Sequence, residues 1–212
     1  MTEASAEDLS KPWESWSGVC GLLGQLWLRE LDEPTLRLLN QQPVRDLYLQ
    51  VGGWLPPPLC EPSVDSWLEQ LGEDYCRLFV GPRGHRPPVQ SVWQQGTFEG
   101  QAAESMEQYW QLLGWKPKTI GPSVPADHLG LQWLTLAYGM NLCHLALQKG
   151  DPSREELPRL VTAFYRDHVA WGLEPAQWVQ ERAQTEFYRH LGQVTAGFLQ
   201  HLNESLASLG SA

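Results

Sequence analysis

The sequence predicts an all-α fold, a helical bundle of about seven to ten helices. Apolar residues recur at steps of three and four along nearly the whole chain, as one face of a helix requires. No stretch alternates apolar and polar residues for the length of a useful strand. The proline and glycine clusters fall between the periodic stretches, where a chain of helices needs its turns.

Taken in order, Trp16, Cys20, Leu23, Trp27 and Leu31 form the first stripe. Asp32 and Pro34 end it and start a second helix through Leu36, Leu39 and Leu47. Gly52-Gly53, Pro56-Pro57-Pro58 and Pro62 make residues 51–62 a loop. Ser63 is placed to cap the next helix, in which Val64, Trp67, Leu68, Leu71, Tyr75, Leu78 and Phe79 share a face. Residues 81–96 read as a second loop. Phe98, Ala102, Met106, Tyr109, Trp110 and Leu113 give another amphipathic helix, and residues 116–125 a third loop.

From about residue 126 to residue 148 the chain is apolar on nearly every side, the pattern of a helix in the middle of a bundle. Gly150 and Pro152 stop it. Leu157, Leu160, Val161, Phe164 and His168 carry the next helix, whose start is blurred by Pro158. A weaker helix follows over residues 176–183, then a final stripe of Phe187, Leu191, Val194, Phe198, Leu202 and Leu206. One domain, residues 1–212, is expected, with 1–11 and 208–212 frayed. Bundle connections are usually short, so the three long loops are functional suspects.

The formal net charge of −10 and a pI of about 5.0 leave no basic stripe to neutralise phosphates, which excludes nucleic acid as a ligand. An acidic surface favours a basic partner instead. Cys20, Cys60, Cys76 and Cys143 are far apart and form no C-x-x-C pair, so free, mostly buried thiols in a reducing compartment are expected. The first residues are acidic, without the apolar core of a secretory signal. No apolar run approaches the roughly 18 residues of a membrane span, and a cytoplasmic location is expected. The 11 tryptophans are an outlier: most fill the core, and a few left exposed would suit a peptide groove.

Six histidines (His85, His128, His144, His168, His190, His201) invite a test for metal. No H-x-x-x-H or H-E-x-x-H spacing occurs, and on one helix His128 and His144 would stand about 24 Å apart. There is no G-x-S-x-G for a nucleophile, and Gly81-Pro82-Arg83-Gly84 lacks the Lys-Ser/Thr of a phosphate loop. Gly18, Gly21 and Gly24 lie in a helix pattern, where close packing accounts for them. Asp127-His128 has two readings. It is a polar handle beside a groove, or an ordinary helix start with Ser123 as cap, Pro125 in the first turn and an acid at the positive end of the helix dipole. A metal-dependent hydrolase using Asp127 and His128 stays as an alternative. Binding of an amphipathic segment between helices is the mode that composition permits best.

Tyr75-x-x-Leu78-Phe79-x-Gly81-Pro82, followed by Pro87-Pro88 and Ser91-Val92-Trp93, resembles the first signature of the TorD/DmsD family of redox-enzyme maturation chaperones. Pro125-x-Asp127-His128, followed by a long apolar helix, resembles the second. His168, Trp171, Phe187-Tyr188 and Leu191 agree with the family's ending, and the similarity runs from about Trp13 to Leu206. Val124 stands where the DmsD branch has a glutamate, and Val89 where it has a tryptophan in the double-proline loop.

The resemblance implies an all-α, cytoplasmic, non-enzymatic chaperone. Its ligand would be the twin-arginine signal peptide, and sometimes the body, of a molybdenum-cofactor oxidoreductase, held until cofactor insertion and export. Residue by residue, the resemblance assigns Asp127 and His128 to leader binding, Pro125 to the turn, and Tyr75, Leu78, Phe79 and Trp93 to the groove or its border. It implies no catalytic residue, no metal and no tightly held cofactor; some relatives bind GTP weakly. Relatives occur as monomers or helix-swapped dimers. A chaperone for a non-exported redox or metal enzyme is a further reading.

Overall fold

A computed structural model describes residues 6–53, 64–98, 100–115, 117 and 124–209. The protein is all-α. Among the described residues there is no strand, only a single antiparallel bridge between Val89 and His128. The chain divides into two compact units. One joins the residues up to Gly24 with Val89–Ala170; the other joins Gln25–Pro88 with the chain from Trp171 onward. Helix α1 (Ala6–Leu28) runs through both.

In the first unit the core is α7 (Leu129–Lys149). Leu129, Leu131, Trp133, Leu136, Met140 and Cys143 are fully buried along it, as a helix apolar on every side requires. The first part of α1 lies against α7. The Ser17 hydroxyl donates to the Ala137 carbonyl at 2.9 Å, and the Cys20 and Met140 sulfurs meet at 3.7 Å. Gly24 permits this approach, because a Cβ there would sit 2.7 Å from the Leu134 side chain. At the far end of α7 the His144 Nδ1 donates to the Ser10 carbonyl at 3.1 Å. Helices α5 (Gln90–Gln95), α6 (Gln101–Leu113) and α8 (Glu156–Phe164) complete the unit.

The second unit holds α2 (Glu33–Leu39), α3 (Gln42–Gln50), α4 (Val64–Tyr75), α9 (Leu173–Arg182) and α10 (Glu186–Leu209). Close contact of α9 with α10 depends on Gly192, where a Cβ would fall 2.5 Å from the Ala176 carbonyl oxygen. The second part of α1 is fixed by Trp27, whose indole N–H donates to the Thr195 hydroxyl at 2.9 Å. Asp74, 2% exposed, ties α4 to the start of α10: its Oδ2 accepts the Gln184 and Thr185 backbone N–H groups and the Thr185 hydroxyl at 2.8–3.0 Å. Its other oxygen accepts from Arg77 at 2.6 Å. This carboxylate satisfies donors at the beginning of a helix, where none has an intrahelical partner.

Several elements differ from the periodicity reading. The second predicted helix is two. Asn40 ends α2, and Pro43, which has no N–H to donate, stands at the start of α3. The stripe from Val64 to Phe79 is not one α-helix; it passes into a π-helical turn over Cys76–Val80. Inside the stretch read as the 81–96 loop lies α5, ended by Gly96 in the left-handed conformation. Phe98 precedes α6 and is 59% exposed. Helix α7 begins at Leu129, three residues later than read. Cys20 and Cys143 are buried as expected, but Cys76 is exposed; Cys60 and the Ser63 cap lie outside the described residues. No described helix is long and apolar enough to cross a membrane.

Candidate functional site

The Tyr75–Pro82 part of the first signature and the Pro125–His128 segment lie in different units, and each has its own geometry. In the first unit Pro125, Ala126 and Asp127 form a turn that feeds α7. The His128 backbone N–H closes it on the Pro125 carbonyl at 3.1 Å. His128 is the helix cap: its Nδ1 accepts the Gly130 N–H at 3.1 Å. The role expected of Ser123 is thus filled by His128, and Ser123 lies outside the described residues. Because Nδ1 accepts, a neutral ring carries its proton on Nε2. Burial pushes the imidazole down to about 4, so it is uncharged near neutrality.

Asp127 is fully buried and holds the turn against α5. Its Oδ2 accepts the Ser91 N–H at 2.8 Å, and its backbone carbonyl accepts the Gln90 N–H at 3.0 Å. The Asp127 side chain is therefore a buried brace between the turn and α5. One feature of the brace is incomplete: Asp127 Oδ1 and Ser91 Oγ have no hydrogen-bond partner. Trp93, on α5, is 8% exposed, while Pro125 is half-buried.

Behind the turn is a polar network that periodicity alone did not reveal. Gln90 Oε1 accepts from Gln132 at 2.6 Å and from the His168 Nδ1 at 3.1 Å. Gln90 Nε2 donates to the Asp167 carbonyl at 2.8 Å. With Nδ1 donating, the His168 Nε2 accepts from the Ser105 hydroxyl at 2.8 Å. The Tyr109 hydroxyl donates to Asp167 Oδ2 at 2.7 Å. Asp167 and His168 lie in a second π-helical turn, Tyr165–Val169. Desolvation lowers His168 to about 4, against the opposing pull of Asp167 and Asp127. Ser105 lies in the early part of α6, and its pair with His168 belongs to this buried network. Gln132 was the available clue, a polar residue in a helix otherwise apolar on nearly every side.

In the second unit the Tyr75–Pro82 part of the first signature forms an aromatic cluster. Tyr75 meets Phe79 edge-on at 5.1 Å and Tyr188 at 6.2 Å, and Phe79 lies 5.8 Å from Trp27. Leu78 and Phe79 are buried, Tyr75 half-buried, and Val80, one residue on, is 62% exposed. Desolvation, helped by Glu30, pushes the Tyr75 hydroxyl up to about 12, so it remains a neutral donor. The π-helical turn aims consecutive apolar residues both inward and outward; such turns recur at functional sites. Among the described residues, no group of three or more His, Cys, Asp or Glu side chains is gathered to hold a metal ion.

Comparison with known proteins places this geometry. The family model for the nitrate reductase delta subunit matches residues 57–180, which include both signature segments. The chaperone protein TorD of Shewanella sp. (strain MR-4) is 25% identical over 200 residues, covering 87% of this chain and 90% of the relative. The chaperone protein YcdY of Escherichia coli (strain K12) is 24% identical over 186 residues, 85% and 89% of the two chains. A crystal structure of a candidate redox enzyme maturation protein from Archaeoglobus fulgidus superposes with a TM-score of 0.53 at 20% identity, over 87% of this chain and 93% of that one. The fold is thus all-helical and shared with that structure, and the curated relatives are chaperones, not enzymes. The chain belongs to the nitrate reductase delta subunit family.

Proposed function

We propose that this chaperone binds the twin-arginine signal peptide of a molybdenum-cofactor oxidoreductase in the cytoplasm and holds the apo-enzyme until cofactor insertion and export. The observation that carries the reading is the family match over residues 57–180, which spans both signatures. The chain's acidity supports it, since a net charge of −10 favours encounter with a basic, apolar peptide. In this reading Asp127 and His128 are positioning residues. They set the 125–128 turn and fix α5, so that half-buried Pro125 is held in a defined place and Trp93 borders the site from within. Tyr75, Leu78 and Phe79 do the same for their own segment, keeping Val80 outward. Binding energy comes mainly from burying the leader's apolar stretch, about 25 cal/mol per Å² before ordering costs.

The test is calorimetry with a synthetic twin-arginine leader and a control in which both arginines are glutamine. Saturable binding of the first, weakened at least about tenfold in the second, is the expected result. Equal binding of the two peptides, or none of either, would overturn the reading.

A further inference from the structure

Three signature segments, Ser91-Val92-Trp93, Pro125–His128 and His168, belong to the first unit and are joined by a residue that none of them contains, Gln90. Gln90 is 4% exposed and opens α5. Its main-chain N–H donates to the Asp127 carbonyl at 3.0 Å, next to the Ser91 N–H on Asp127 Oδ2. Its side chain reaches the second π-helical turn. The orientation of the carboxamide is forced. The Asp167 carbonyl can only accept, so Nε2 faces it at 2.8 Å and Oε1 faces Gln132 and His168. Both of those side chains must then donate, and both are buried. His168 is thereby fixed with its proton on Nδ1, whereas the Gly130 N–H fixes His128 with its proton on Nε2.

We propose that Gln90 is a positioning residue for the peptide surface, and that His168 acts on that surface through it without touching the peptide. The inference rests on the peptide-binding function proposed above. One residue carries both halves of the joint. Its main chain holds the 125–128 turn and its side chain holds the π-helical turn, so the two do not shift independently. In a dry interior a half-satisfied polar network is the costly arrangement, so the fully bonded one is kept. Half-buried Pro125 and buried Trp93, on either side of this joint, take their places from it. The competing role for His168 is packing, since its ring meets Phe164 at 5.2 Å and Tyr109 at 5.3 Å. Chemistry separates the two roles: positioning needs a donor at Nδ1, whereas packing needs only a ring.

The experiment uses the full chain and a synthetic twin-arginine leader. Nitrogen NMR of the imidazole rings should show His168 protonated on Nδ1 and His128 on Nε2, the two being told apart with His168→Asn. A wild-type His168 protonated on Nε2 would overturn the proposal. Gln90→Met keeps the length and removes the acceptor. His168 should then carry its proton on Nε2, and the Ser91 amide should exchange faster with solvent while the amides of α10 keep their rates. His168→Phe keeps the ring packing and should weaken leader binding about fivefold, the size of one hydrogen bond. His168→Asn, which restores a donor close to the position of Nδ1, should recover most of that loss. A phenylalanine variant that binds like wild type, or an asparagine variant no better than phenylalanine, would overturn the proposal. Should Gln90→Met not fold, the two His168 variants carry the same comparison. Leader binding that is the same in wild type and His168→Phe removes the joint and leaves the proposed function standing. If the wild type binds no leader, the proposed function falls and Ser91 exchange still decides the joint. An unchanged rate in Gln90→Met and His168→Phe removes it, and a faster rate in both upholds it.

Discussion

Replacing Asp127 separates a brace from a contact. Its Oδ2 is the acceptor for the Ser91 N–H at 2.8 Å, and the side chain is fully buried. Asp127→Ala leaves that donor buried without a partner, which costs about 1–3 kcal/mol. For a chain of this size each kcal/mol moves Tm by about 2–4 °C, so a fall of about 2–12 °C is expected. Leader binding should weaken with it, because α5 and the 125–128 turn lose their mutual anchor. Asp127→Asn keeps an acceptor of the same shape and converts the partnerless oxygen into a donor. Its Tm should lie within a few degrees of wild type and its leader affinity should be nearly retained. Differential scanning calorimetry and peptide titration of both variants decide the matter. An alanine variant with wild-type Tm would refute the buried bond. An asparagine variant that folds normally yet binds as poorly as alanine would show that the charge itself meets the leader.

Asp74→Ala removes the shared acceptor of Gln184, Thr185 and Arg77, and should destabilise the protein by about 3 kcal/mol in urea unfolding. A loss below about 0.5 kcal/mol would contradict its part in starting α10. His128 and His168 are held near 4 when folded, below the usual imidazole value of 6.5. The unfolded chain then takes up protons first as pH falls. The stability is fully present above about 6.5 and is lost progressively towards about 4, and it does not change with further alkalinity from this cause. His128→Asn keeps a side-chain cap without the titrating ring and should flatten the slope of stability against pH in that window; an unchanged slope would remove His128 as its source.

The apolar spacing by itself determined that the chain is helical, which helix is central and roughly where the others run. These follow from the period of the pattern, and the period survives any tertiary arrangement. Residue order likewise marked Tyr75–Pro82 and Pro125–His128 as the segments to watch. Other features depend on contacts that one segment cannot announce. The α-to-π change after Tyr75 puts Phe79 against Tyr188 while Val80 faces out. Helix α5 forms within a glycine- and proline-rich stretch because Asp127 receives its first N–H groups. In sequence Asp127 and His128 read either as a polar handle beside a groove or as part of an ordinary helix start capped by Ser123. Only the packing of α5 against the turn assigned them to the interior, where the Asp127 side chain receives the backbone N–H of Ser91, 36 residues away in sequence.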